Sequence, residues 1–390
     1  MKIHLHKYIL YSSVFAIFTE SFFFHYIIDW KLFYIILLIN FYLLSRIKKI
    51  TINKYVFFLI VGLIIHGLIM NALISIPLKF LFAQIIGIFI VSTYYYNFVS
   101  LFNVSKIIEL YSKYSLYVAA IGYPMLALGI NSNDGVRLQS IFKEPAHFAI
   151  VVIPACYYYL KQKKYLPFLI IFGSLILSQS SLGYIGCGLM FLIPNFNRKR
   201  ILYLLATVPF IISISYVVYN ENELVKLRVD DTLSSFNSIL NGKFKEETNL
   251  STYAFLSNLF VTKRNIQEHP LGSGLGSHFY MHTTIYHKDI RPPEYIKMQR
   301  LDNINAADAN SLLLRIVSDF GIIGILFLIF VLVSLIKPFS SKDFIFAQGI
   351  VIYILLKLFR DGHYFPPELY FFIFILYFTI QERQLKENQY

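Results

Sequence analysis

The chain has 390 residues, of which 57% are apolar and only 15% are charged, and its mean hydropathy is +0.59. Soluble domains average about 25% charged residues, so this composition excludes a soluble enzyme and a disordered chain. The net charge of +13 comes from short basic clusters between apolar runs, so no nucleic-acid partner is expected. Cys156 and Cys187 lie inside apolar stretches, which excludes a disulfide framework. The sequence predicts an all-α polytopic membrane protein.

The apolar runs predict about twelve transmembrane helices, since a span needs about 20 mostly apolar residues. The first follows a basic start and lacks a small-residue cleavage site, so it is expected to remain uncleaved. The seventh and eighth runs are short and could instead form a re-entrant hairpin. Either arrangement leaves the later segments on the same side of the membrane. The predicted spans are 8–28, 31–45, 55–75, 79–101, 114–130, 145–160, 165–178, 180–194, 201–219, 310–336, 344–359 and 366–381.

The basic residues of the short connections predict the orientation. With the N-terminus in the cytoplasm, the inside segments hold 18 Lys and Arg residues and the short outside loops hold 5. Because Lys and Arg accumulate on the cytoplasmic side, both termini are predicted to be cytoplasmic.

One connection is far longer than the others and is predicted to lie outside. Residues 220–309 separate spans 1–9 (residues 1–219) from spans 10–12 and a cytoplasmic tail (residues 310–390). Two stretches of this loop, 222–240 and 251–267, have helical patterns, and Ser251 is a candidate N-cap for the second. They are expected either to lie on the membrane surface as amphipathic helices or to form a small external unit on the bundle.

Arg137 lies in a predicted outside loop, against the positive-inside bias, and Glu144, Pro145 and His147 follow at the mouth of a span. A guanidinium can clamp a phosphate or carboxylate bidentately, although an Arg can also snorkel to lipid headgroups. Glu144 is a candidate general base or a structural partner of Arg137.

Arg315 lies about one turn inside the tenth predicted span, four residues before Asp319. This spacing puts both charges on one helix face and predicts an ion pair. A charge in a bilayer costs about 2.5–3.5 kcal/mol on insertion scales and usually faces a polar cavity. The pair is therefore either functional or a structural salt bridge.

The long loop contains further candidates for binding. Arg291 precedes two prolines in a stiff segment, and Arg300 follows it. The loop histidines lack metal-ligand spacing, so no metal is expected. Three glycines, Gly272, Gly274 and Gly276, have no strand before them and predict a tight turn rather than a dinucleotide site. The remaining charged and polar candidates, which are expected to be solvated or to bond between helices, are Glu20, His66, Arg264, His269, His278, His282 and His287.

Three segments in order resemble the O-antigen polymerase and ligase superfamily. The first is the outside loop with Arg137, Phe142 and the Glu-Pro pair at 144–145, and the second is HPLGSGLGSHF at 269–279 in the long loop. The third is the return helix ANSLLLRIVSDFGIIG at 309–324, which is similar to a His-Asn-x-x-Leu…Gly-x-x-Gly signature of the family.

The chain departs from the family pattern at two places. Ala309 precedes Asn310 where the ligases carry a His, which favours the Wzy-type polymerase branch. An Arg-x10-Gly pattern described for polymerase loops is not met, because Phe148 and Asp302 stand eleven residues after Arg137 and Arg291.

The resemblance implies polymerisation of undecaprenyl-diphosphate-linked oligosaccharide repeat units into O-antigen at the outer face of the bacterial inner membrane. It implies a metal-independent glycosyltransferase without a cofactor, with a chain-length regulator and a flippase as possible partners. A lipid diphosphate leaving group needs fixed cations, and an attacking sugar hydroxyl needs a base. The residues expected to bind the diphosphate or substrate are Arg137, Arg291, Arg300, Arg315 and Asn310, and the candidate bases are Glu144 first and Asp308 second.

Three other functions remain open at this point. An O-antigen ligase would share the fold and the donor, and a capsule or exopolysaccharide polymerase would differ only in its product. A transporter or flippase would usually show symmetric halves and short loops. The sequence has no internal repeat, and the loop at residues 220–309 is long.

Overall fold

A computed structural model of the chain describes residues 2–19, 21–26, 28–130, 136–192, 219–221, 223–340 and 344–387, together with residues 213 and 216. It is mostly helical and has almost no strand, which confirms the all-α expectation in its general form.

The N-terminal part consists of eight described helices and one hairpin. They are α1 (Lys2–Ala16), β1 (Phe23–Tyr26), β2 (Ile28–Lys31), α2 (Leu32–Ile47), α3 (Lys54–Ile74), α4 (Leu78–Leu101), α5 (Val104–Ala127), α6 (Pro145–Lys161), α7 (Tyr165–Leu177) and α8 (Ser181–Leu192). The strands pair antiparallel, with Phe23 opposite Lys31 and Tyr26 opposite Ile28.

The C-terminal part consists of eight described helices. They are α9 (Glu223–Ser235), α10 (Ser238–Asn241), α11 (Leu250–Glu268), α12 (His278–Tyr280), which continues as a π-helical turn over Met281–Ile285, α13 (Glu294–Met298), α14 (Leu312–Ser340), α15 (Ile345–Phe359) and α16 (Pro367–Glu387).

Three of the described helices are long and apolar enough to cross a membrane: α3, α4 and the Leu312–Ile336 part of α14. Four shorter apolar helices, Leu32–Ile47, Tyr165–Leu177, Ser181–Phe191 and Ile345–Phe359, accompany them. The number of twelve spans and the orientation stay predictions. The predicted ninth span, 201–219, lies almost entirely outside the described residues, as does Glu20.

The first predicted span, 8–28, is interrupted in the structure. Helix α1 ends at Ala16, whose carbonyl oxygen accepts a hydrogen bond from the Thr19 hydroxyl at 2.7 Å. The aromatic and β-branched residues that follow favour a strand, and they form the hairpin instead of a further helical turn.

Asparagine side chains mark several helix starts. Asn53, Asn103 and Asn249 each accept a backbone N–H of the first turn, which satisfies a donor that the helix leaves free. Helix α5 therefore begins ten residues before the predicted span at 114, and the cap of α11 is Asn249 rather than Ser251.

Residues 223–309, which we call the loop unit, have a buried cluster of their own. Its large members are Phe244, Tyr253, Phe260, Met281 and Tyr286, and Ile76 joins them from the α3–α4 connection. A helix lying on a lipid surface would leave its apolar face without such contacts, so the buried cluster favours a packed unit for the second stretch, 251–267. The apolar side chains of the first stretch, Leu227, Leu233 and Leu240, stay exposed, and both alternatives remain open for it.

Several connections meet at one end of the bundle, which we call the loop end. The Ser21 hydroxyl donates to the Ile141 carbonyl at 2.5 Å, and the Arg315 guanidinium donates to the Gly362 carbonyl at 2.9 Å. The hairpin, the segment before α6, the start of α14 and the α15–α16 connection therefore lie together, and the loop unit lies beside them.

Candidate functional site

A cavity of about 270 Å³ opens at the loop end between the hairpin, α6, α14 and the α15–α16 connection. Its walls combine apolar side chains with an unusual number of ionisable ones, namely Lys31, Tyr34, His147, Arg315, Asp361, His363 and Glu368. A concave site with a few convergent polar groups is where a small ligand or a substrate headgroup is expected.

Arg315 is the most constrained charge of this cavity. The Ser311 hydroxyl accepts the Leu314 N–H at 3.0 Å and fixes the first turn of α14. The Arg315 side chain is only 2% exposed, it donates from Nη1 to the Gly362 carbonyl, and its guanidinium carbon lies 4.4 Å from the centre of the Tyr364 ring.

The Nε–H of Arg315 has no hydrogen-bond partner among the described residues. An unpaired buried charged donor costs several kcal/mol. A buried guanidinium with a spare donor therefore favours an anion in the cavity, and phosphate oxygens suit its planar geometry.

Asp319 is not the direct partner that the i, i+4 spacing predicts for Arg315. Its carboxylate accepts hydrogen bonds from the Gly276 N–H at 2.8 Å, the His278 N–H at 3.2 Å and the Tyr364 hydroxyl at 2.8 Å. The predicted direct contact is not formed, because the backbone of the loop unit approaches α14 closely enough to bind this carboxylate, and Arg315 interacts with Asp319 only at longer range.

The glycine segment of the loop unit makes this approach possible. Gly272, Gly274 and Gly276 all have positive φ, of 80°, 100° and 79°, and a Cβ at Gly272 would lie 2.4 Å from the Asp319 carbonyl oxygen. The segment is thus a tight turn against α14, as predicted. The same contact region holds His66, whose Nε2 lies 2.9 Å from the Leu271 carbonyl oxygen.

Asp308, Asp361 and His363 bring their ligand atoms within 4.8 Å of one another beside the cavity. Two carboxylates and an imidazole could hold a divalent cation. However, the Asp361 carboxylate already forms an ion pair with the fully buried Lys357 ammonium. Burial by itself raises the pKa of the Asp361 carboxyl, but the charges of Lys357, His363 and His147 together with the Lys357 hydrogen bond outweigh burial and lower it.

The chain conformation before α14 places Asp308. Its Oδ1 accepts the Asn310 N–H at 3.1 Å, and the Asn310 side-chain oxygen accepts the Asn305 side-chain N–H at 2.9 Å. A Cβ at Gly362 would lie 1.7 Å from the Asp308 carbonyl oxygen, so only glycine fits there. Asn310 is therefore a buried turn residue with φ of 60° rather than a lining residue of the cavity.

Arg137 and Glu144 do not line the cavity. Arg137 donates to the Ser178 and Gln179 carbonyls at 3.2 and 3.1 Å, where it holds the end of α7. Glu144 precedes the first residue of α6, and its carboxylate lies 3.8 Å from the Arg360 guanidinium. Their catalytic and binding roles stay predictions.

Arg291 and Arg300 lie in the loop unit, away from the Arg315 cavity, and both are exposed. Arg291 pairs through its backbone with Gly242 and Phe244, at 2.9 and 3.0 Å. Arg300 has a positive φ of 56° at the end of α13. The structure therefore brings together Asp308, Asn310 and Arg315 of the predicted set, and it separates them from the loop arginines.

Sequence reasoning did not select Lys31, Asp361, His363 or Glu368 as site residues. One signal was present: Lys357 interrupts an apolar run four residues before Asp361, and a charge pair of that spacing inside a span is a functional hypothesis. Comparisons with protein-family models, curated proteins and solved structures find no match for this chain.

Proposed function

We propose that the chain is a membrane glycosyltransferase that polymerises undecaprenyl-diphosphate-linked oligosaccharide repeat units into O-antigen polysaccharide. The observation that carries the proposal is Arg315, a buried guanidinium whose Nε–H is left free beside a cavity at the loop end. The motif resemblance around Asn310 and the glycine segment supplies the reaction class.

The cavity wall offers a lipid diphosphate two cations, Arg315 and Lys31, and Lys357 compensates one of its two carboxylates, Asp361. The reaction leaves a diphosphate whose negative charge grows as the glycosidic bond breaks, and fixed cations stabilise that charge. Arg315 offers one unused N–H, and Lys31 lies in the same wall. These two residues replace Arg137 and Arg291 as our first candidates for the diphosphate clamp.

The proposed chemistry is a displacement at the anomeric carbon of the donor glycan. The hydroxyl oxygen of the acceptor sugar bonds to that carbon, the bond to the diphosphate oxygen breaks, and the hydroxyl proton passes to a base. Asp308 is the better candidate, because its carboxylate groups with His363, a residue of the cavity wall, whereas Glu144 lies beside the exposed Arg360. His363 could carry the proton between the acceptor and Asp308.

The proposal includes the twelve-span arrangement with both termini in the cytoplasm of a bacterium. That arrangement puts the loop end at the outer face of the inner membrane, where lipid-linked donor and acceptor can enter between helices. A flippase would supply these substrates, and a chain-length regulator would act on the growing product.

The proposed reaction needs no metal. Lys357 already compensates Asp361, and Arg315 and Lys31 offer the positive charge that a divalent ion would otherwise supply. An active preparation is therefore expected to keep its turnover in excess chelator.

A lipopolysaccharide gel from a strain lacking the gene, beside the complemented strain, tests the proposed function. Lipid A core carrying a single repeat unit supports the polymerase. Bare core together with accumulated lipid-linked polymer identifies a ligase instead. An unchanged ladder contradicts the O-antigen assignment and moves the chain to capsule synthesis or transport.

A further inference from the structure

A second cavity, of about 170 Å³, lies inside the loop unit. It is far larger than the ~15 Å³ that a single water needs. Its wall contains four polar residues, His282, His287, Lys297 and Asp302, and three with apolar surface, Tyr253, Ile290 and Pro292. None of these residues belongs to the Arg315 cavity.

His282 is the residue that indicates a ligand. Its side chain is fully buried, and neither ring nitrogen forms a hydrogen bond of good geometry within the described parts of the chain, although the Asn303 side chain lies near the ring. A buried polar group without a partner costs roughly 1–3 kcal/mol, so two such atoms on a residue that lines one cavity suggest that something else satisfies them.

The protonation of His282 narrows the ligand class. Burial lowers the pKa of the imidazole to about 4, so the ring is neutral at physiological pH. A neutral imidazole offers one donor and one acceptor. A hydroxyl group, which both donates and accepts, matches that pair, whereas a phosphate offers only acceptors and a metal ion needs only lone pairs.

The remaining wall residues fit the same class of ligand. Lys297 and Asp302 carry opposite charges, so the cavity favours neither an anion nor a cation. The Tyr253 hydroxyl is already donated to the Asp302 carbonyl at 2.7 Å, which leaves its ring as an apolar surface beside Ile290 and Pro292. A sugar ring has apolar C–H faces and hydroxyls around its edge.

We propose that this cavity binds one neutral pyranose residue, with His282 hydrogen-bonded to its hydroxyls. The inference rests on the proposed function for the source of the sugar, which would be a residue of the lipid-linked glycan held away from the reacting end. The cavity then acts as a second contact that selects the repeat unit, while Arg315 binds the diphosphate.

Saturation-transfer NMR on the full-length protein tests this binding directly. The probes are the methyl β-glycosides of glucose, galactose and N-acetylglucosamine at millimolar concentration. The protein is held in micelles of a detergent without a sugar headgroup. The matched variants are His282→Leu, which removes both nitrogens, His282→Asn, which keeps a donor and an acceptor, and His269→Leu, which changes a loop histidine outside the cavity.

We expect transfer to the ring protons of at least one glycoside. The signal should fall at least tenfold in His282→Leu, stay measurable in His282→Asn and remain unchanged in His269→Leu, with all three variants folded by circular dichroism. No transfer from the wild type to any of the three sugars would overturn the inference, and so would an equal signal from a folded His282→Leu.

Displacement of a bound glycoside by inorganic phosphate or Zn²⁺ at similar concentration would also contradict a neutral sugar site. The gel of the deletion strain is independent of this measurement. Sugar binding with an unchanged ladder would support the cavity assignment and contradict the polymerase. A polymerase phenotype without sugar binding would support the polymerase and contradict the cavity assignment.

Discussion

Two buried cations on neighbouring helices, Lys357 on α15 and Arg315 on α14, are treated differently by the fold. The Lys357 side chain is fully buried and its ammonium has a carboxylate partner, Asp361. Arg315 is almost as buried, but it donates a hydrogen bond to a carbonyl oxygen, makes a cation–π contact with an aromatic ring and has one N–H without a partner among the described residues.

The difference in pairing indicates that Lys357 has a structural role and that Arg315 is available to bind a ligand. A buried ion pair contributes little net stability, but removing one partner leaves the other charge uncompensated. Arg315 has no carboxylate in direct contact in the part of the chain that the structure describes, and the Asp319 charge one turn away acts on it only at longer range, so part of its compensation is left to a ligand. The pairing state of a buried charge, rather than its burial, therefore indicates function here.

The largest effect is expected when the paired cation is removed. Lys357→Met leaves the Asp361 carboxylate buried without its partner and should destabilise the protein by about 3–5 kcal/mol. The midpoint of thermal unfolding in detergent measures this loss. The double variant Lys357→Met/Asp361→Asn should recover most of it, and a double variant as unstable as the single one would contradict a structural pair.

A pH effect of intermediate size is expected in the loop unit. Burial lowers the pKa of His282 to about 4 and that of His278 well below its usual value. The unfolded chain then binds more protons below about pH 6.5, so stability is complete above that pH and falls as the pH drops toward 4. Protonation of His282 alone should lower the free energy of unfolding by about 2 kcal/mol at pH 5 relative to pH 7.5.

Thermal unfolding at pH 7.5 and pH 5 in the wild type and in His282→Leu measures this contribution. The variant should show the smaller loss on acidification. Equal losses in the two proteins would mean that His282 is not buried in its neutral form.

A smaller effect is expected at Arg137, where the sequence and the structure suggest different roles. Its two hydrogen bonds to the end of α7 predict a loss of about 1 kcal/mol in Arg137→Ala. The sequence resemblance instead predicts loss of polymerisation at a normal protein level. A lipopolysaccharide ladder and the unfolding midpoint of the same variant decide between the two, because full-length polymer would reject the clamp role.

The smallest effect is expected at Arg300, which is exposed and lines neither cavity. Arg300→Ala should leave polymer length and the unfolding midpoint within experimental error. A shortened ladder would indicate that the exposed face of the loop unit also binds the glycan.

The class of the fold was predictable from composition and apolar runs, and Arg315 was predictable because a charge in a span is costly. The hydrogen-bond partners that Asp319 has in place of Arg315 were not predictable. Asp319 is bound by the backbone of Gly276 and His278, residues more than forty positions away in the chain, and helical spacing carries no information about such contacts.

The hairpin at β1 and β2 and the grouping of Asp308 with His363 were also not predictable from helical spacing. The first replaces helix because local β-forming residues outweigh an apolar run, and the second depends on the close approach of Gly362 to Asp308. Both positions place residues beside the cavity that sequence reasoning left out, Lys31 and His363.

The central claim is that Arg315 binds the diphosphate of a lipid-linked donor. Polymerisation by the purified chain from lipid-linked repeat units, compared between the wild type, Arg315→Lys and Arg315→Gln, tests it most directly. We expect turnover to fall about 100-fold in Arg315→Gln and less in Arg315→Lys, which keeps the charge, while the unfolding midpoints stay close to that of the wild type. Wild-type turnover in a folded Arg315→Gln would contradict the claim.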